Sequence, residues 1–336
     1  MLSDELLETF IRQYIEAQTQ PEVLFIWHGG EPLLLPVSYH WFANNCQHGA
    51  PAHTSAATSI PAHSTLISDE WCRFFRENNF LVGISIDGPE PFHNYYRQQF
   101  CQVMRGIELL KKHGVMWNAM ATVNRRNADF PCEFYHFFRE IGCEYLQFTP
   151  VVETIVGTAE LTPESVTPQQ WGSFLVKLYD EWVRADVGRL FVQLFDAVLA
   201  CWAGQAPGLC SVGAFCGQSA ALQPDGSLYS CDHFVFPEYR LGNIREHTIT
   251  ELMYSERQHL FGRKKSDEIS ESCRNCIYFF ACHGECPKNR ILPHYENYLC
   301  EGYRHFFRHV EADMDFMVNE LRNGRAPANV MERKKL

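Results

Sequence analysis

Long apolar runs are missing from this chain. No stretch of its 336 residues approaches the roughly 18–20 apolar residues that a membrane-spanning helix needs, so a membrane is not expected as its site of action. Basic excess is missing too: 29 Lys and Arg stand against 40 Asp and Glu, a net charge of −11. Nucleic acid and anionic membrane surfaces select basic proteins, so neither is an expected partner. The chain opens without an apolar signal run, which leaves an oxidising compartment unsupported and a reducing cytoplasm as the expected location. No internal repeat is evident. What the chain has in quantity is apolar and aromatic mass, 46% and 14% of residues, enough for a folded core of one large and one small domain. It also has fourteen cysteines.

Eight of those cysteines form one ordered series, Cys210-x5-Cys216-x14-Cys231, then 41 residues, then Cys273-x2-Cys276-x5-Cys282-x3-Cys286-x13-Cys300. Four thiolates hold one [4Fe–4S] cluster, so eight make two complete sets. Zinc is the first rival, but only Cys273-x2-Cys276 has zinc-knuckle spacing and no second x2 pair follows it. Disulfides are the second rival and lack a supporting compartment. The remaining six, Cys46, Cys72, Cys101, Cys132, Cys143 and Cys201, read as small buried hydrophobes.

Hydrophobic periodicity places helices at 3–18, 68–79, 101–113, 132–141, 169–185 and 191–203, with Ser3 as the first cap. Short apolar runs at 23–27, 81–86, 116–123 and 145–148 read as strands. Strands alternating with helices mean βα units and a parallel sheet, in which strand ends carry the active site. A closing helix is expected from Phe306 to Leu321 and a frayed polar tail over 322–336. Residues 46–64, rich in Ala, His, Ser, Thr and Pro, lack strand periodicity and read as a surface loop, although a βα unit should have a strand near there.

The pattern Cys216-x9-Gly226-x4-Cys231, followed by Cys273-x2-Cys276-x5-Cys282-x3-Cys286 and Cys300, resembles the SPASM domain of radical S-adenosylmethionine (SAM) enzymes. Trp27-His28-Gly29-Gly30-Glu31-Pro32 resembles the glycine motif with which that superfamily binds SAM. Within it the chain looks most like the anaerobic sulfatase-maturating enzymes, on the stretches FIWHGGEPLL, GISIDGP, LYSCDHFVFPEYRLGNI and CHGECPKNR. The resemblance implies an α/β fold: an incomplete (β/α)6 partial barrel over 1–205, a small cysteine-rich α+β domain over 206–302, and a C-terminal helix and tail over 303–336. It implies radical oxidation of a Cys or Ser in a sulfatase polypeptide to Cα-formylglycine, with SAM, two auxiliary [4Fe–4S] clusters and a flavodoxin- or ferredoxin-type reductant. A third [4Fe–4S] cluster is implied only where an upstream ligand motif exists.

By position, the resemblance gives Cys210, Cys216, Cys231 and Cys286 to the first auxiliary cluster and Cys273, Cys276, Cys282 and Cys300 to the second. Asp232 matches the proposed base that deprotonates the substrate; without the family it reads as a turn-capping Asp. Gly29, Gly30 and Glu31 would meet the amino and carboxylate ends of SAM. Ser85 and Arg97 match contacts to its ribose and carboxylate, where alone they read as a strand-end Ser and a solvated Arg. Val152 would pack on the adenine, or be ordinary core.

The chain departs from the family in three places. The Cys-x3-Cys-x2-Cys motif that binds the SAM-cleaving cluster is not among the 336 residues. Ala62-His63-Ser64 stands where the family has Thr-Asn-Gly, and the loop after Arg97 is shorter than the family's. The departures suggest a truncated copy that lacks the first strand and is inactive alone. Two other readings stay open: a non-catalytic SPASM remnant that binds clusters or a peptide, and another SPASM peptide-modifying enzyme.

Overall fold

A computed structural model describes residues 2–18, 22–27, 31–34, 55–62, 64–158 and 160–334. These form two compact units, each discontinuous in sequence. The first joins Met1–Gly83, Arg105–Met116 and Phe215–Asp267; the second joins Ile84–Met104, Trp117–Ala214 and Glu268–Leu336. No helix among the described residues is long and apolar enough to cross a membrane.

In the first unit, helix α1 (Asp4–Glu16) starts where Ser3 Oγ accepts the Leu6 N–H at 3.3 Å, with Asp4 and Glu5 in the first turn. Its apolar positions divide between two partners. Leu7, Ile11 and Ile15 pack on Val23 and Phe25 of β1 (Glu22–Ile26). Leu6 packs on Leu228, Ile244, Ile249 and Leu252, around the antiparallel sheet β7 (Ala221–Leu222), β8 (Ser227–Tyr229) and β9 (Arg240–Asn243) and helix α8 (Ile249–Met253). Gln13 clamps the same region, its Nε2 donating to Ile244 O and its Oε1 accepting from Ile249 N. Strand β2 (Ser55–Ala62) pairs in parallel with β1, in register from Glu22↔Ser55 to Ile26↔Ser59. The loop expectation for 46–64 is therefore corrected over 55–62; residues 46–54 and 63 lie outside the described residues. Weak β-propensity gave way to a partner, because a neighbouring strand satisfies backbone groups whatever the side chains. Helix α2 (Asp69–Glu77) and β3 (Phe80–Ser85) complete this side with a packed group of Trp71, Phe74, Phe75 and Phe80.

In the second unit, Glu90–Tyr96 forms a helix, α3, that the sequence analysis did not anticipate. Helix α4 (Phe100–Lys112) runs on into the first unit. Strand β4 (Met116–Val123) pairs in parallel with β5 (Tyr145–Pro150), which pairs with β6 (Phe191–Val192). Helices α5 (Pro131–Glu140), α6 (Pro168–Ala185) and α7 (Gln193–Trp202) cover them. Their core is aromatic, with Phe174 in edge contact with Phe134 and Phe148, those two tilted against each other, and Tyr179, Trp182 and Phe195 beyond. The α/β class with parallel strands is the fold the sequence implied.

The long helix α12 (Cys300–Arg322) begins six residues before its expected start, on the last cysteine of the series. It crosses α6 closely enough that glycine is needed on both sides: a Cβ on Gly172 would lie 2.9 Å from Gly302 Cα, and one on Gly302 would run into the Pro168 carbonyl. The tail is not frayed through residue 334. Val330 is fully buried in α13 (Val330–Arg333), Lys334 Nζ pairs with Asp313 at 2.7 Å, and Asn329 donates to Glu320 at 2.6 Å. These three anchors outweigh a polar composition. Among the six scattered cysteines, Cys72, Cys143 and Cys201 are buried as expected. Cys132 is half-buried and Cys101 is exposed, which corrects the reading for Cys101; Cys46 lies outside the described residues.

Candidate functional site

The cysteines of the second set meet around one cavity of about 30 Å³, lined by Cys273, Cys276, Cys282 and Cys300 with Tyr278, Phe279, Tyr303 and Phe307. Each arrives by a separate local device. Ser270 caps helix α10 (Glu271–Arg274) and its Oγ accepts the Cys273 N–H at 3.2 Å. Turn bonds from Cys276 N to Cys273 O and from Phe279 N to Cys276 O carry the chain to α11 (Phe279–Cys282). Cys300 opens α12, so its thiol stands at the positive end of a 23-residue helix, where a thiolate is favoured.

The turn after Cys282 is unusual. His283, Gly284 and Glu285 follow one another at φ of +49°, +72° and +54°, and non-glycine residues enter that region at a cost. One side chain holds the turn. Arg290, 8% exposed, donates from Nε to Gly284 O at 3.0 Å, from Nη2 to His283 O at 3.0 Å and Glu285 O at 3.3 Å, and from Nη1 to Glu268 O at 2.9 Å. Buried Glu285 accepts from Asn289 Nδ2 at 3.0 Å and from Asn297 Nδ2 at 2.6 Å. Asn297 Oδ1 in turn accepts the Leu299 N–H at 2.7 Å, just ahead of Cys300. Two cysteines 18 positions apart are thus tied through one polar network. Arg290, Glu285 and Asn297 are not among the site residues expected from the sequence; the available signal was a charged pair inside CHGECPKNR.

Burial first, and then the charge of Cys273, pushes the Cys300 thiol up to about 12. Burial pushes Cys282 further, with Glu285 and Cys300 adding to it. Ionised as thiolates, Cys282 and Cys300 would need a cationic centre between them, which is what an iron–sulfur cluster supplies. Among the described residues no group of three or more His, Cys, Asp and Glu is placed to hold a single metal ion; a four-iron cube sets its thiolates wider apart than one zinc does.

In the first set, Cys216 and Cys231 belong to the first unit and Cys210 and Cys286 to the second. Asp232, exposed, begins a short 3-10 turn (Asp232–Phe234); its Oδ1 accepts the His233 N–H at 3.0 Å and the Cys231 thiol at 3.2 Å. Asp232 thus stands directly after Cys231, with its Oδ1 engaged by its own neighbours in the chain.

The strand ends of the second unit carry a polar knot. Asp87, 1% exposed, accepts the Thr122 N–H with Oδ1 at 2.8 Å and Arg97 Nε with Oδ2 at 2.8 Å. The Asp87 N–H donates to His93 Nδ1 at 3.3 Å, so His93 carries its proton on Nε2 and donates to Gln98 O at 3.0 Å. Arg97 is thus not simply solvated: its Nε is committed to Asp87. Ser85 ends β3 beside this knot, and Val152, buried, follows β5. Glu153 pairs with Lys288 of the cysteine loop at 2.5 Å. Glu31 Oε1 accepts the Leu33 N–H at 3.0 Å; Gly29 and Gly30 lie outside the described residues.

Residues 210–277 match the SPASM family, described as an iron–sulfur cluster-binding domain. The chain is 50% identical to a serine-type anaerobic sulfatase-maturating enzyme of Bacteroides thetaiotaomicron, over 99% of this chain and 86% of that protein. It is 30% identical to a cysteine-type enzyme of Clostridium novyi, over 96% and 89%. A solved structure described as native anSMEcpe with bound AdoMet and Kp18Cys peptide superposes with a TM-score of 0.86 at 29% identity, over 95% of this chain and 91% of that one.

Proposed function

Since the chain belongs to the anaerobic sulfatase-maturating enzyme family, we propose that it serves the oxidation of a sulfatase Cys or Ser to Cα-formylglycine, with SAM and two auxiliary [4Fe–4S] clusters. The observation that carries this reading is the cavity ringed by Cys273, Cys276, Cys282 and Cys300. A cluster bound there supplies one-electron redox chemistry. The protein's own groups do the rest. Cys210, Cys216, Cys231 and Cys286 hold the other auxiliary cluster. Asp232 keeps Oδ1 on the His233 N–H and offers Oδ2 to the substrate hydroxyl or thiol proton. Arg97 gives Nε to Asp87 and presents its Nη groups to the SAM carboxylate; Gly29, Gly30, Glu31, Ser85 and Val152 complete the SAM contacts. A flavodoxin- or ferredoxin-type protein supplies electrons.

Because the 336 residues contain no Cys-x3-Cys-x2-Cys, cluster content and SAM cleavage are separate questions and are tested separately. The chain, reconstituted anaerobically with iron and sulfide, is expected to hold about eight irons, two cubanes. Zinc in their place, or fewer than about four irons, would overturn the ligand assignment. Incubation with SAM, reductant and Cys-x-Pro-x-Arg or Ser-x-Pro-x-Arg peptides, read by peptide mass, then asks for formylglycine. A thioether product on unrelated peptides instead would move the chain to another class of peptide modifier.

A further inference from the structure

Cys300 is the first residue of α12, and Tyr303, Arg304 and Phe307 follow it on the same face of the helix. All four line the cavity of the second cysteine set. Tyr303 and Phe307 are buried, whereas Arg304 is exposed. Arg304 also lines a separate open groove of about 190 Å³, with Glu301, His305 and Arg308. A long side chain that borders both an enclosed cavity and an open groove lays its stem along one and keeps its guanidinium at the rim. Helical side chains lean toward the N-terminus, which carries that charge back over the turn of Cys300. The Cys300 thiol registers it: burial first, then Cys273, Glu296 and Cys276 raise the thiol, and Arg304 lowers it. The neighbouring carboxylates are engaged by neutral donors. Glu296 Oε1 accepts the Ser272 hydroxyl at 3.1 Å, Glu301 Oε2 the Gln169 amide at 2.9 Å and Glu311 Oε2 the Tyr278 hydroxyl at 3.0 Å. The first cysteine set takes no cysteine from α12. The chain beside its Cys216 and Cys231 is held by helix α9 (Glu256–Asp267), where Gln258 Nε2 donates to Gly217 O at 2.8 Å and Ser230 O at 3.2 Å.

We propose that Arg304 is the cationic rim of the cluster that Cys273, Cys276, Cys282 and Cys300 hold, and that its charge raises that cluster's reduction potential. This rests on the cluster reading of the second cysteine set. A thiolate-bound cube is anionic and gains one more negative charge on taking an electron, so a cation beside it favours the reduced form. The groove leaves the guanidinium open to water and salt, so its field weakens as ionic strength rises. Arg304 acts through the cluster and is a positioning residue.

The test compares the reconstituted wild-type chain with Arg304→Gln, which removes the charge and keeps a polar side chain, and Arg304→Lys, which keeps the charge. Iron and sulfide per chain are measured, with midpoint potentials from redox titration followed by electron paramagnetic resonance at low and at high salt. The expected result is unchanged iron in all three and, at low salt, one couple of Arg304→Gln moved to more negative potential. That couple is the one whose signal Cys300→Ser alters; the other is unmoved, and Arg304→Lys stays close to wild type. The gap between wild type and Arg304→Gln narrows at high salt. An unshifted potential in Arg304→Gln, a shift of the other couple, a shift that Arg304→Lys shares, or a gap indifferent to salt overturns the proposal. If Arg304→Gln fails to load one cluster, full iron and a wild-type potential in Arg304→Lys still support the charge, and loss in both overturns it. Absence of iron from the wild type would instead defeat the cluster reading itself.

Discussion

The cysteine cavity and the strand-end knot around Asp87 are built in opposite ways. The cavity draws its four thiols from 28 consecutive positions, and its supports, Ser270, Arg290 and Asn297, come from the same stretch or border it. The knot joins Asp87, Arg97 and Thr122, and its strands are aligned by pairing rather than by spacing. The cavity is a local structure lined by four thiols; the knot is a tertiary structure closed by one buried carboxylate. The two regions should therefore fail independently.

The largest effect is expected from Arg290→Ala. Four carbonyls lose a charged donor in a turn held at positive φ, a loss of about 3–5 kcal/mol. Iron should fall by about four per chain while SAM binding is kept. Arg290→Lys should rescue little, since an ammonium cannot span those carbonyls. Calorimetry, iron assay and SAM titration read all three; full iron in Arg290→Ala would show that the turn holds itself.

Asp87→Asn attacks the other region. The amide oxygen can still accept the Thr122 N–H but cannot pair with Arg97, so stability should drop by about 1–2 kcal/mol, a figure kept low because Arg97 is 36% exposed. SAM affinity should weaken with iron content unchanged. Loss of iron in this variant would break the separation of the two regions.

The smallest effect concerns Asp196 in the first turns of α7, whose carboxyl is raised by burial to about 6. The folded state then holds a proton that the unfolded state has released. The contribution is full below about pH 4, falls as pH rises through 6, and is absent above it. Asp196→Asn should flatten that slope and raise the melting temperature near pH 7.5, by about 1–2 kcal/mol of stability. A melting profile unchanged at both ends of the window would remove burial of this charge as a cost.

Much of the fold was open to reading because it rests on local periodicity. The α1 cap at Ser3, the β4 span and the helix of 168–185 follow from apolar spacing and capping chemistry. Strand β2 was not legible, since its pairing with β1 supplies what its own residues do not. Nor was the docking of the tail, which depends on Val330 finding a buried place and Lys334 finding Asp313.

By itself the sequence determined the family and its inventory of thiols, because cluster chemistry asks for thiols in number and order, and spacing records both. Only the tertiary structure decided what holds those thiols: Arg290 around a strained turn, and the glycines that let α6 meet α12. A hydrogen bond to a carbonyl leaves no periodic trace in a sequence. Its energy depends on the distance and burial that folding alone creates.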